Sequence, residues 1–158
     1  MFREMRRCKQ QLPQEAAIAI LQAGSSGVLA VAGDDGYPYA VPLSYAYHAG
    51  KIFFHCAPAG HKLDAIRREK KVSFCVIAQD DVVAAEFTTR YRSAIAFGHA
   101  RILTEDAARR QALLLLAEKY SPGLPTETEA AIAGDWEKVC LVEIEIEHLT
   151  AKAARTLL

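Results

Sequence analysis

The sequence has no C-x-x-C pair and no closely spaced set of Cys and His, which excludes the common zinc templates. Its four cysteines, at 8, 56, 75 and 140, form no disulfide framework. Cys75 and Cys140 lie in apolar runs and read as small buried hydrophobes. No apolar run approaches the ~20 residues of a membrane-spanning helix. Nor is there a surplus of charge: nineteen Lys and Arg balance nineteen Asp and Glu. Binding a phosphate backbone needs a basic excess, so neither nucleic acid nor membrane is an expected partner. The chain lacks internal repeats and a Gly-rich strand-to-helix loop of the nucleotide type. Its first stretch, "MFREMRRCKQQLPQEA", has no apolar signal core behind it, so the cytoplasm is the expected compartment. The 158 residues are 51% hydrophobic and 24% charged, the balance of a soluble globular protein. That length suits one domain with a real core.

Turn and breaker residues divide the chain into short elements. "PQEAAIAILQAG" reads as a helix over about 13–23, with Pro13 in its first turn and Gly24 at its end. Two strand-like runs follow, Val28–Ala32 and Tyr39–Tyr47, separated by the turn signal Asp-Asp-Gly. Pro38 and Pro42 suggest an edge, or a backbone that bends and leaves groups free for a ligand. Lys51–Cys56 is an aromatic-rich strand, and a helix follows over about 61–68. "KVSFCVIAQ" is a strand, "DDVVAAEFTTRYR" reads as a loop ending near Arg92, and "SAIAFGHARIL" is a strand with a bulge or bend at Gly98. Thr104 is placed to cap a helix that runs to the Ser-Pro-Gly break at 121–123. A weaker helix covers 127–135. The last strand, "VCLVEIEIEHL", alternates: Cys140, Val142, Ile144 and Ile146 face a core, and Leu141, Glu143, Glu145 and Glu147 face water. A C-terminal tail then covers about 150–158. Short spacing and hairpin turns favour an antiparallel barrel of about six strands over a doubly wound sheet.

The candidate chemistry gathers around "FHCAPAGHKLDAIRR". Gly60, His61 and Lys62 open a helix, where acidic residues are the stabilising choice and cations are not. Either a phosphate supplies the missing negative charge, or the two side chains point into water. His55, Cys56 and His61 match no metal template, so no metal site is expected. Cys56 could act as a nucleophile only if His55 lowered its pKa, and adjacent strand residues point to opposite faces. "TTRYRS" at 88–93 is either a solvated loop or a polar clamp. Tyr37, Tyr39, Tyr45 and Tyr47 share parity, lining a cleft or facing the core or a partner. His48, His99 and His148 have no partner at ligand spacing. Asp64 and Arg68 read as an ordinary helix pair.

Taken together, "DGYPYAVPL", "FHCAPAGHKLDAIRR" and "YRSAIAFGHARI" closely resemble the pyridoxamine 5′-phosphate oxidase-like flavoproteins. Within them the likeness is to the branch that includes nitroimidazole-resistance proteins, and it covers about residues 12–150. The resemblance implies a mainly β fold with flanking helices, a six-stranded antiparallel split β-barrel. It also implies FMN as cofactor and a homodimer with the flavin at the subunit interface. Carried over by position, it puts His61 and Lys62, after Gly60, at the FMN phosphate. It lays the backbone of Ala40, Val41, Pro42, Leu43 and Ser44 along the flavin ring. It sets His55, Cys56 and Ala57 near the ribityl chain, and brings Arg92 and Ser93 to the cofactor, from the other subunit in one arrangement. His55 is the side chain expected near the reactive face. The family's vitamin B6 oxidases carry Arg-Lys where this chain has His61-Lys62, and a basic C-terminal substrate motif. This chain ends "EHLTAKAARTLL", which sets it apart from them. The implied activity is FMN-dependent reduction of a small aromatic or nitro compound. Non-catalytic binding or storage of flavin or haem is the alternative.

Overall fold

The computed structural model describes residues 1–158. Seven strands form one antiparallel sheet: β1 Gly27–Ala32, β2 Pro38–Leu43, β3 Ala46–His48, β4 Lys51–Cys56, β5 Lys71–Val83, β6 Thr88–Ile102 and β7 Cys140–Ala153. Their order is β2-β1-β5-β6-β7-β4-β3. The edge strands β2 and β3 are consecutive in the chain, separated only by Ser44 and Tyr45. Two residues cannot span an open seven-stranded sheet, so the sheet must curl until its edges meet at that link. The result is an unclosed barrel split between β2 and β3, the split-barrel fold that the sequence implies.

Four helices flank the sheet: α1 Gln14–Ala23, α2 His61–Arg68, α3 Asp106–Tyr120 and α4 Pro125–Asp135. α1 ends at Gly24, where a β-carbon would stand 2.6 Å from the Tyr45 hydroxyl and 2.7 Å from Val76. The main core lies inside the curl and under α1 and α2, and includes Leu21, Leu29, Phe54, Leu63, Phe74 and Val142. A second cluster of Ala46, Phe53, Leu103, Ala112, Leu116 and Leu141 joins α3 to the other side of β4 and β7.

Several expectations are corrected. There are seven strands because the run 39–47 is two strands, not one. Tyr45 turns inward and is fully buried, and its hydroxyl donates to the Leu21 carbonyl at 2.6 Å. Its N–H bonds the Tyr120 hydroxyl at 2.9 Å, and its carbonyl accepts from the Lys119 ammonium at 2.8 Å. These contacts take Tyr45 out of any ladder. Residues 80–92 are not a loop: β5 and β6 continue as a paired arm to a turn at Ala84–Glu86. The tail is shorter than expected, because β7 reaches Ala153, opposite Arg92. Helix α3 begins after Glu105, and no side chain caps it, Thr104 included. Leu141 and Glu143 do not face water; α3 covers that half of β7. Glu143 is buried between Lys51 at 3.1 Å and Arg101 at 3.2 Å. Cys75 and Cys140 are only half-buried. The bulge at Gly98 is present, as a register shift between Phe97 and Gly98.

Removing the Tyr45 hydroxyl leaves the buried Leu21 carbonyl without that donor, which costs about 1–3 kcal/mol. Tyr45→Phe is therefore expected to lower the urea midpoint with an unchanged m-value. An unchanged midpoint would show that the bond contributes nothing.

Candidate functional site

The site grows from the end of β4. After Cys56 the chain crosses Ala57, Pro58 and Ala59 to Gly60, whose φ of 147° is strained for any residue with a β-carbon. No side chain caps α2. Its first backbone bonds run from Leu63 and Asp64 to the Gly60 carbonyl, at 3.0 and 3.1 Å. The N–H groups of His61 and Lys62 thus have no partner inside the helix, and they open onto exposed chain. Lys62 is half-buried and makes no ion pair, although Arg67 and Arg68 on the same helix are both paired. Free donors, the positive end of a helix and an ammonium without a partner are the features of a candidate anion cradle.

His61 is held differently. Its ring packs against Tyr39 with centroids 4.1 Å apart, and its Nε2 lies 3.6 Å from an Asp34 oxygen. Arg68 reaches the other Asp34 oxygen at 2.7 Å. The expected Asp64–Arg68 pair is thus replaced by Asp64–Arg67 at 3.1 Å. Nothing in the sequence singles out Asp34, and Tyr39 stands out only as one of four tyrosines of shared parity. Only the turn signal at Asp34–Gly36 hinted that this loop would fold back on the helix.

β2 lies at the free edge of the sheet beside this cradle. Pro38 pairs with Ala32 and Pro42 with Val28. Proline has no N–H, so both must occupy positions that exchange no hydrogen bonds with β1. Ala40 shares their phase, so its N–H and carbonyl point away from β1, over the split. The prolines remove the neighbouring outward donors and leave the Ala40 N–H standing between them.

The strand end divides the remaining residues. Cys56 packs against the main core and lies under the field of Lys62. Burial first, then neighbouring Cys140, pushes its thiol up to about 11. It is protonated near neutrality, and a nucleophilic role has no support. His55, one residue back, is exposed on the opposite face. With Ser44 it lines a cavity of about 570 Å³, walled by Leu116 and Tyr120 of α3 and Ile132 of α4. The two faces of β4 thus meet different surroundings: the anion cradle on one, a largely apolar cavity on the other.

Arg92 and Ser93 do not join this constellation within one protomer. Ala30 stands level with Ser73 and Phe97. The cradle lies beyond it, at Gly33 and Tyr39, while Arg92 lies five positions the other way, roughly 17 Å along β6. Arg92 reaches the Leu157 carbonyl at 3.4 Å. His99 lies 3.2 Å from Glu147, and the His148 ring stacks on Phe2 at 4.6 Å. No group of three or more His, Cys, Asp or Glu is placed to hold a metal ion. No helix is long and apolar enough to cross a membrane.

The family profile described as pyridoxamine 5′-phosphate oxidase matches residues 13–153. The chain belongs to that family. No curated protein matches its sequence. Among solved structures, it is similar to a candidate 5-nitroimidazole antibiotic resistance protein of Bacteroides thetaiotaomicron, with 18% identity and a TM-score of 0.78. That match covers 90% of this chain and 86% of the other. The FAD- and haem-binding protein of Mycobacterium smegmatis shares 23% identity with a TM-score of 0.80, over 92% and 74% of the two chains. An FAD-binding protein of Mesorhizobium loti shares 25% identity with a TM-score of 0.66, over 92% and 97%.

Proposed function

We propose that this family member is an FMN-binding oxidoreductase that reduces a small aromatic or nitro compound. The observation that carries the reading is the pairing of two features at the split: the unpaired N-terminus of α2 with Lys62, and the outward Ala40 N–H on the adjoining edge. One suits a phosphate, the other a polar edge of a flat ring. In this reading Gly60, His61 and Lys62 hold the phosphate, His61 through its backbone N–H, since its ring is engaged with Asp34 and Tyr39. The backbone of Ala40, Val41, Pro42, Leu43 and Ser44 lies along the ring system, and Cys56 and Ala57 flank the chain between ring and phosphate, while His55 points to the other face of β4. Bound FMN would supply the redox chemistry, accepting electrons from a donor such as a nicotinamide and passing them on. His55 and Ser44 would face the substrate from the adjoining, largely apolar cavity.

Arg92 and Ser93 complete the site from a second subunit in a homodimer, with the cofactor between the protomers. The outward face of the sheet supports such an association: Phe97 is 39% exposed and Ile77 65%. Exposed apolar side chains of this size are usual at interfaces. The likeness to the FAD- and haem-binding protein favours a second reading, a non-catalytic flavin or haem carrier.

Two measurements test the proposal. FMN-loaded protein should consume NADH or NADPH steadily when a nitroaromatic acceptor is added; flavin uptake with no turnover would favour the carrier reading. Ala40→Pro should leave the fold intact, because no ladder bond uses that N–H, and should weaken FMN binding by up to about tenfold. Equal affinity of wild type and Ala40→Pro would remove the Ala40 N–H from the site.

A further inference from the structure

We infer a second anion site, distinct from the α2 cradle, built where the two ends of the chain meet. Residues 1–10 carry four cations, Arg3, Arg6, Arg7 and Lys9, against one acid, Glu4. Arg6, Arg7 and Lys9 converge with Arg155 around one concavity of about 600 Å³, floored by Cys8 and Gln10. None of these four cations forms an ion pair with a carboxylate, although ten such pairs exist elsewhere in the protein.

A solvated, freely moving arm would spread like charges apart. This one is pinned. Gln10 is buried, and its side-chain oxygen accepts from the Tyr91 hydroxyl at 3.0 Å. Gln11 bridges to Lys152, and the Leu12 N–H bonds the Ala151 carbonyl at 2.9 Å. The turn Cys8–Gln10 closes through the Gln10 N–H to the Arg7 carbonyl at 2.9 Å. On the other wall, Arg155 opens the final turn, fixed by the Ala154 N–H to the Tyr91 carbonyl at 2.9 Å. Both walls of the bowl are therefore tied through their backbone to the same β6–β7 platform, which places four exposed cations around one hollow without a counter-ion from the protein.

The chemistry that fits is a compact polyanion. Three guanidinium forks and an ammonium match the oxygens of a phosphate monoester or a pyrophosphate group. The concave shape and the neutral net charge of the chain favour a small ligand over a nucleic acid or a lipid surface.

Calorimetric titration of the intact protein, kept saturated with FMN so that the α2 cradle is filled, with inorganic pyrophosphate tests this. Saturable binding at one site per chain is expected. The Arg7→Ala/Arg155→Ala double variant should weaken it by about tenfold or more, since each lost charge-assisted bond is a sizeable share of the affinity. Arg6→Gln alone should weaken it less, and gives a reading should the double variant fold poorly. Lys138→Ala, an exposed cation in the turn after α4, should change nothing. With FMN in excess over wild type and variant alike, Lys62→Ala should also change nothing, which separates this bowl from the α2 cradle. Absence of saturable binding below the millimolar range would overturn the inference. So would a loss seen with Lys62→Ala instead of the arginine variants, or binding only to duplex DNA or phosphatidylglycerol vesicles.

Discussion

Lys62→Ala is expected to raise the dissociation constant for FMN about ten- to hundredfold while leaving riboflavin binding nearly unchanged. Lys62 is half-buried, unpaired, and sits in the first turn of α2 beside two free N–H groups. Losing one charge-assisted hydrogen bond costs roughly 1.5–3 kcal/mol, which gives that range of affinity. Riboflavin has the ring and ribityl chain without the phosphate, so it does not use the cradle. General damage to the pocket would weaken both ligands together. Flavin fluorescence titrations of both proteins at one salt concentration make the comparison; fixed salt matters because added ions screen exposed charges. Equal losses for the two ligands, or none for either, would show that Lys62 is not the phosphate anchor.

Phe74→Ala should have the largest effect on stability, about 3–5 kcal/mol, as the deletion of a fully buried aromatic ring leaves a cavity the sheet cannot close. Phe74 is fully buried on β5, in the main core, with its ring edge-on to Tyr45 at 4.9 Å. That contact ties the core to the break between β2 and β3. A loss of this size is a large fraction of the stability of a single domain. Chemical denaturation should show the midpoint falling sharply. If the variant stays folded in mild conditions, flavin affinity should fall as well, because Tyr45 holds the link from which Ser44 projects. A loss below about 1 kcal/mol would mean that the site repacks, and that the Tyr45 link does not depend on Phe74.

The elements that position the α2 cradle were legible in the sequence because local signals coincide there. The aromatic strand Lys51–Cys56, the small residues after it and Gly60 ahead of a 3.6-period run give strand, crossing and helix in order. The continuous apolar run of β1 and the alternation in β7 make the sheet readable in the same way. What was missed depends on partners distant in sequence. Nothing local says that Tyr45 leaves its strand; Leu21, Lys119 and Tyr120 pull it in. The arm formed by β5 and β6 reads as a loop because both of its faces carry polar residues, and a ladder needs no apolar alternation once its strands are joined by a tight turn. Glu143 was placed in water because alternation cannot show that α3 covers half of that face. In the candidate site, the residue types at 60–62 carry the signal, but the His61 ring is engaged by Asp34 in the turn before β2 and by Tyr39 on β2, both more than twenty residues earlier in the chain. The cavity shared by Ser44 and His55 needed α3 and α4 to be docked before it existed.

The most direct test of the central claim is the identity and amount of cofactor the protein holds. The protein, saturated with FMN and freed of excess by gel filtration, is denatured, and the released cofactor is quantified by absorbance and identified by mass spectrometry. The account predicts one FMN per chain, retained by a dimeric species. A protein that retains no flavin after saturation, or that retains riboflavin as well as it retains FMN, would contradict it.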